Sequence, residues 1–168
     1  PASDQFAVPA TAVGSAWTGI LKHRDLARTT FGADARLVRG ETREHFTFAA
    51  GNFMRLRVAG GKQNLGGLFA LHERPLANDL RLTLGARLDQ WNERDGRRRE
   101  SDRATGVLSR DDRYTDRDGT SFSPSAGLLR TPRRAWRLRA NAQRAFRRPT
   151  LNELYRPFRV GSNVTEAN

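Results

Sequence analysis

Few residues of this chain could carry out chemistry on a bound molecule. Its three histidines, His23, His45 and His72, lie far apart and show none of the spacings that bring imidazoles onto one metal ion. There is no cysteine, which excludes a thiol nucleophile, a thiolate metal site and a disulfide framework. No Ser-His-Asp arrangement can be assembled. Gly60-Gly61-Lys62 is followed by Gln63 and lacks the upstream glycine of a phosphate loop. Asn163-Val164-Thr165 has the form of a glycosylation sequon and says nothing further. The expectation is a protein without a catalytic, cofactor or metal site, and so not an enzyme.

What remains is the chemistry of guanidinium groups. Lys22 and Lys62 are the only lysines among 30 basic residues, and 18 acids leave a net charge of +12. From Arg130 to Arg159 ten arginines face one acid, Glu153. From Glu93 to Asp118 eight arginines meet eight acids, and this neutral stretch reads as a long solvated loop. The excess raises a polyanion partner, and a basic nucleic-acid-binding protein is one rival reading. Against it, several of the arginines alternate with apolar residues and no nucleic-acid-binding motif is present, so no nucleic-acid partner is expected.

The elements that position these residues have a period of two. Over 80–91, Leu80, Leu82, Leu84, Ala86 and Leu88 oppose Arg81, Thr83, Gly85, Arg87 and Asp89. Over 136–146, Trp136, Leu138, Ala140, Ala142 and Phe146 oppose Arg137, Arg139, Asn141 and Gln143, with Arg144 the one charge on the apolar side. Over 27–37, Phe31, Ala33, Ala35 and Leu37 oppose Thr30, Gly32, Asp34 and Arg36. Weaker strands are expected at 13–22, 63–73 and 122–129, six in all. Connections 23–26, 74–79 and 130–135 are short, whereas 38–62 and 92–121 are long. Tight turns at one end and long loops at the other describe antiparallel strands of an up-and-down outer-membrane β-barrel; a soluble sandwich also alternates. Six strands are fewer than the roughly eight a closed membrane barrel needs, so the barrel would be partial. A small complete eight-stranded barrel is the other alternative. No apolar run approaches the ~18 residues of a spanning helix. The opening Pro1-Ala2-Ser3-Asp4 lacks the layout of a signal peptide, so the chain is either not exported or begins inside a longer protein.

On the barrel reading, Asp34, Arg36, Arg81, Arg87, Asp89, Arg137, Arg139, Asn141 and Gln143 are lumen-facing candidates. The arginines would attract an anionic ligand or an acidic plug, or be hydrated and paired with acids such as Asp34 and Asp89. Trp136 suits an interfacial aromatic girdle, and Arg144 an outer rim; Trp91 has the parity of the polar side.

The most specific stretch comes late. Thr150-Leu151-Asn152-Glu153 is a capping box, Pro149 holds the preceding chain extended and Pro157 stops the helix, so the strand should leave the sheet near Arg147 for a short helix. The full run Phe146-Arg147-Arg148-Pro149-Thr150-Leu151-Asn152-Glu153-Leu154-Tyr155 resembles a segment in the barrel of TonB-dependent outer-membrane receptors, with Ala145 and Arg148 where that family usually has Gly and Ala. Thr30–Ala35 and Leu82–Asp89 are similar to barrel strands of the same family. The resemblance implies an all-β, partial transmembrane barrel in the cell outer membrane, spanning 1–168 and without the family's plug domain. It further implies uptake of a scarce nutrient (a ferric siderophore or other iron chelate, cobalamin or a glycan). The partners it implies are outer-membrane lipid, the nutrient ligand and the TonB protein acting through the missing N-terminal plug.

Overall fold

A computed structural model describes residues 3–133, 135–160 and 163–165, with backbone alone from 158 onward. Six long tracks of antiparallel strand form one open sheet. The first track is β1 (Ser3–Ala7) and β2 (Ala10–Lys22), both on the same edge of β3 (Arg28–Ala49) and separated at Val8-Pro9. Then come β4 (Asn52–Ala77) and β5 (Leu80–Asp102). β6 (Leu108–Arg113) and β7 (Arg117–Arg133) share the far edge of β5, and β8 (Trp136–Gln143) closes the series on β7. The helix α1 (Leu151–Tyr155) follows, and β9 (Phe158–Val160) pairs with β10 (Asn163–Thr165). The sheet is all antiparallel and not closed, so the chain is a partial barrel rather than a complete eight-stranded one.

The two expected long loops are not loops. Strands β3, β4 and β5 run 22, 26 and 23 residues, about twice what a tilted strand needs to cross a bilayer. Residues 38–62 continue β3 into β4 around Ala50-Gly51, where φ is +47° and +82°, the positive pair of a two-residue hairpin turn. Residues 92–121 extend β5 and return as β6 and β7. The mixed charge that suggested a solvated loop is a set of cross-strand and same-strand pairs: Arg97 meets Asp111 at 2.7 and 2.8 Å, and Arg110 meets Asp112 at 2.5 Å. A strand whose two faces both meet water can alternate charge with charge, so it lacks the apolar stripe that marks a half-buried one.

Register sorts the side chains into two faces. Trp17, Ala33, Leu68, Leu88 and Phe122 stand opposite one another across five tracks, and Leu82, Leu128 and Ala140 form another such row. These large apolar groups are exposed: Trp17, Leu68, Leu88, Phe122 and Leu138 are each about half uncovered or more. The other face carries the polar residues. At Asp95, with φ of +55°, β5 places two residues, Asp95 and Gly96, against Gly61 alone. This bulge exchanges the faces above it, sending Gly96, Arg98 and Glu100 to the polar side and Arg97 and Arg99 to the other.

β8 stops at Gln143, three residues short of the expected end. The amide of Arg144 still donates to the Pro124 carbonyl at 3.0 Å, but Pro124 has no N–H to return, and the ladder ends there. Among the described residues no helix is long and apolar enough to cross a membrane, which says nothing of strands.

Candidate functional site

The polar face is where the chain folds back on itself. Beyond β8 the backbone crosses over β5 and β4 and sets α1 on β3, β4 and β5. The capping box forms as its residue types require: Thr150 Oγ1 accepts from the Glu153 amide at 3.3 Å, and Glu153 Oε2 accepts from the Thr150 amide at 2.7 Å. Arg147 adds a bond to Glu153 at 3.0 Å. These donors, led by Arg147, hold the Glu153 carboxyl at about 2. Leu154 and Tyr155 are the buried face of this helix, packed with Ala59, Tyr114 and Leu151. The Tyr155 ring lies over two glycines: a Cβ on Gly61 would stand 2.8 Å from its Cε2, and one on Gly96 2.6 Å from its Cζ. Burial pushes the Tyr155 hydroxyl up, and the nearby Glu93 charge adds to it.

Three charge clusters stud this face. The lowest joins predicted residues: Arg87 donates to both Asp34 oxygens at 2.6 and 2.9 Å and to Asp89 at 2.8 Å. It reaches across Gly67, where a Cβ would sit 2.6 Å from the guanidinium carbon. In the middle, Arg148 meets the buried Glu93 at 2.6 and 2.9 Å and lies 3.2 Å above the Trp91 ring, a cation–π contact. Gln63 donates to Glu93 at 3.2 Å and to the Pro149 carbonyl at 3.1 Å, tying the segment before the helix to β4. The uppermost cluster is a chain of alternating charge. Arg156 donates to Glu44 at 2.6 Å, Glu44 also takes Arg57 at 2.7 Å, and Arg57 donates to Glu100 at 2.7 Å. Glu100 takes Arg98 as well, at 2.8 Å. Burial works to raise the Glu100 carboxyl, but Arg57 and Arg98 together hold it below the usual carboxylate range.

All nine predicted face residues share this side by register, yet the structure joins only Asp34, Arg87 and Asp89. Arg36, Arg81, Arg137, Arg139, Asn141 and Gln143 are exposed and make no side-chain hydrogen bond or ion pair among the described residues. Pairing with acids therefore holds for Arg87 and not for Arg81, Arg137 or Arg139. Of the motif, Arg148, Pro149, Thr150, Asn152, Glu153, Leu154 and Tyr155 all serve the docking, Asn152 by accepting from Thr42 at 3.2 Å. Phe146 is exposed. Sequence reasoning missed Glu44, Arg57, Gln63, Glu93, Arg98 and Glu100, all but Gln63 assigned to loops. No alternation marks them: Thr42, Glu44 and Phe46 on one parity and Glu41, Arg43 and His45 on the other are both largely polar. Also missed was a small cluster in which Thr29 Oγ1 lies 2.9 Å from both His23 and His72. Among the described residues no group of three or more metal-ligating side chains converges.

No curated protein and no solved structure matches the chain. A family model, described as TonB dependent receptor-like, beta-barrel, matches residues 3–168. That family serves outer-membrane reception and transport rather than catalysis. An open antiparallel sheet with one exposed apolar face, one ion-paired polar face and a helix of the expected motif docked inside it therefore belongs to the TonB-dependent receptor β-barrel family.

Proposed function

We propose that this chain is a wall section of an outer-membrane receptor that takes up a scarce nutrient, such as a ferric siderophore, cobalamin or a glycan. The exposed apolar rows carry this reading, because such a surface is stable against lipid and a liability in water. The polar face then lines the lumen, and Asp34, Arg36, Arg81, Arg87, Asp89, Arg137, Arg139, Asn141 and Gln143 meet water, plug or ligand there. Uptake draws on the TonB protein acting through a plug domain outside residues 1–168. Residues 1–168 are a portion of the barrel domain alone.

The test uses the full-length receptor in its host. Deleting the receptor or TonB should each abolish accumulation of one nutrient from a panel of iron chelates, cobalamin and oligosaccharides. Accumulation that survives loss of TonB would sink the active-uptake reading. Residues 1–168 contain no cysteine, so the face assignment is testable too in a receptor whose cysteines elsewhere are replaced by serine. In the inserted receptor, Arg81→Cys should react with a membrane-impermeant maleimide and Leu84→Cys should not.

A further inference from the structure

The segment joining β8 to α1 stands off the wall of the sheet. Residues 143–148 arch over β7 and β5, and a cavity of about 410 Å³ lies beneath them, within the roughly 300–1,000 Å³ of small-molecule sites. Register places its wall side on the polar face. Arg87 stands opposite Ser123, Ser125 stands opposite Gln143, and Asp89 follows Arg87 on β5 with the same parity. Trp91, held under Arg148, lines the cavity as well. The arch contributes Phe146, a ring of the late motif that remains 42% exposed.

The free polar groups of this cavity define what it can hold. Ser123, Ser125 and Gln143 make no side-chain hydrogen bond among the described residues. Asp89 gives Oδ1 to Arg87 and leaves Oδ2 without a partner among them. Hydroxyls and a carboxamide both donate and accept, and a carboxylate oxygen accepts strongly from a hydroxyl. Charge cancels around them: Arg87, Arg144 and Arg148 stand against Asp34, Asp89 and Glu93. An anionic chelate therefore gains no net attraction here. An uncharged ligand rich in hydroxyls satisfies these groups, and its C–H faces pack on the exposed Phe146 ring. A site built to hydrogen-bond hydroxyls also rejects ligands that lack them. We propose that the cavity beneath residues 143–148 is a binding subsite for a neutral saccharide. The proposal narrows the nutrient class of the uptake reading and rests on the polar face lining the lumen.

The experiment titrates the purified full-length receptor in detergent with short neutral oligosaccharides of glucose, galactose, mannose, xylose and N-acetylglucosamine, read by calorimetry. The same sugars carrying a carboxylate or a sulfate form the charged arm. At least one neutral sugar should bind, and its charged form no more tightly. On binding, amide exchange should slow at 119–125 and 143–148, an arm that needs no variant to fold. Ser123→Ala/Phe146→Ala should weaken the affinity about a hundredfold, about tenfold for the hydroxyl and as much for the ring. Arg99→Ser, on the opposite face, should leave it unchanged. Failure of every neutral sugar to bind overturns the proposal, as does binding of the charged forms alone. Unaltered exchange in the two segments, or full affinity in an assembled double variant, places the sugar elsewhere and overturns it too. The uptake reading fails separately. It falls if the nutrient accumulates without TonB, and it stands if a ferric chelate accumulates through TonB while no sugar binds.

Discussion

At the scale of single residues, the decisive acids are those with more than one arginine. Glu44 is fully buried and receives both Arg57 and Arg156, so it is the junction between sheet and docked segment. Removing one partner from a buried ion pair leaves the other charge desolvated, which costs about 3–5 kcal/mol. Glu44→Gln in the full-length receptor should destabilise it by about 3 kcal/mol, visible as a lower urea midpoint in detergent. An unchanged midpoint would mean that the guanidiniums find water. Glu153 behaves differently because it is exposed. Its carboxyl titrates at about 2 in the folded state against 4.5 ordinarily, so its contribution is complete above about pH 4.5 and is lost as pH falls through about 2. A carbon-13 label on the Glu153 carboxyl should report a midpoint near 2; Arg147→Ala should move it upward.

At the scale of elements, α1 has five residues, too few to be stable without its cap and its seat. Thr150→Ala removes the oxygen that accepts the Glu153 amide and should cost about 1 kcal/mol, read as faster hydrogen exchange at Glu153 and Leu154. The seat depends on glycine. Gly96→Val would drive a side chain into the Tyr155 ring, and the helix should detach while the β4–β5 ladder persists. Faster proteolysis confined to the segment around residue 150 would be the signature; intact protection would show that the ring slides aside. The bulge is the other element-scale device. Deleting Asp95 would leave Gly96 alone opposite Gly61 and restore simple alternation, with Arg98 and Glu100 still on the polar side because their partners on β4 are unchanged. The deletion should therefore leave the receptor assembled, measured as retention of the heat-modifiable band, and loss of the band would show that the bulge itself is required.

At the scale of the molecule, the sheet has two open edges, along β1–β2 and along β8. In hydrocarbon each unpaired backbone group costs several kcal/mol, so the isolated 168-residue chain should not insert into vesicles or run as a compact, heat-modifiable species. A compact band that unfolds on boiling would contradict this. The same scale reframes the charge of +12. It first suggested a polyanion partner, but the arginines are divided between two faces and most of those above the apolar rows are held by acids.

The apolar half of the fold was open to reading from the chain alone. Alternation over 80–91, 27–37 and 136–146 placed the strands and sorted their faces, because a strand between lipid and water must change polarity at every residue. The capping box was equally local, since its bonds join residues three apart. The long hairpins were not legible, because strands wetted on both sides need no apolar stripe. The docked helix and its ion pairs were decided by tertiary structure alone: Glu44 finds Arg156, and Glu93 finds Arg148, only after the chain has crossed back over the sheet. A one-residue bulge at Asp95 likewise set which charges face inward, and nothing in the pattern around it marks where an alternation will slip.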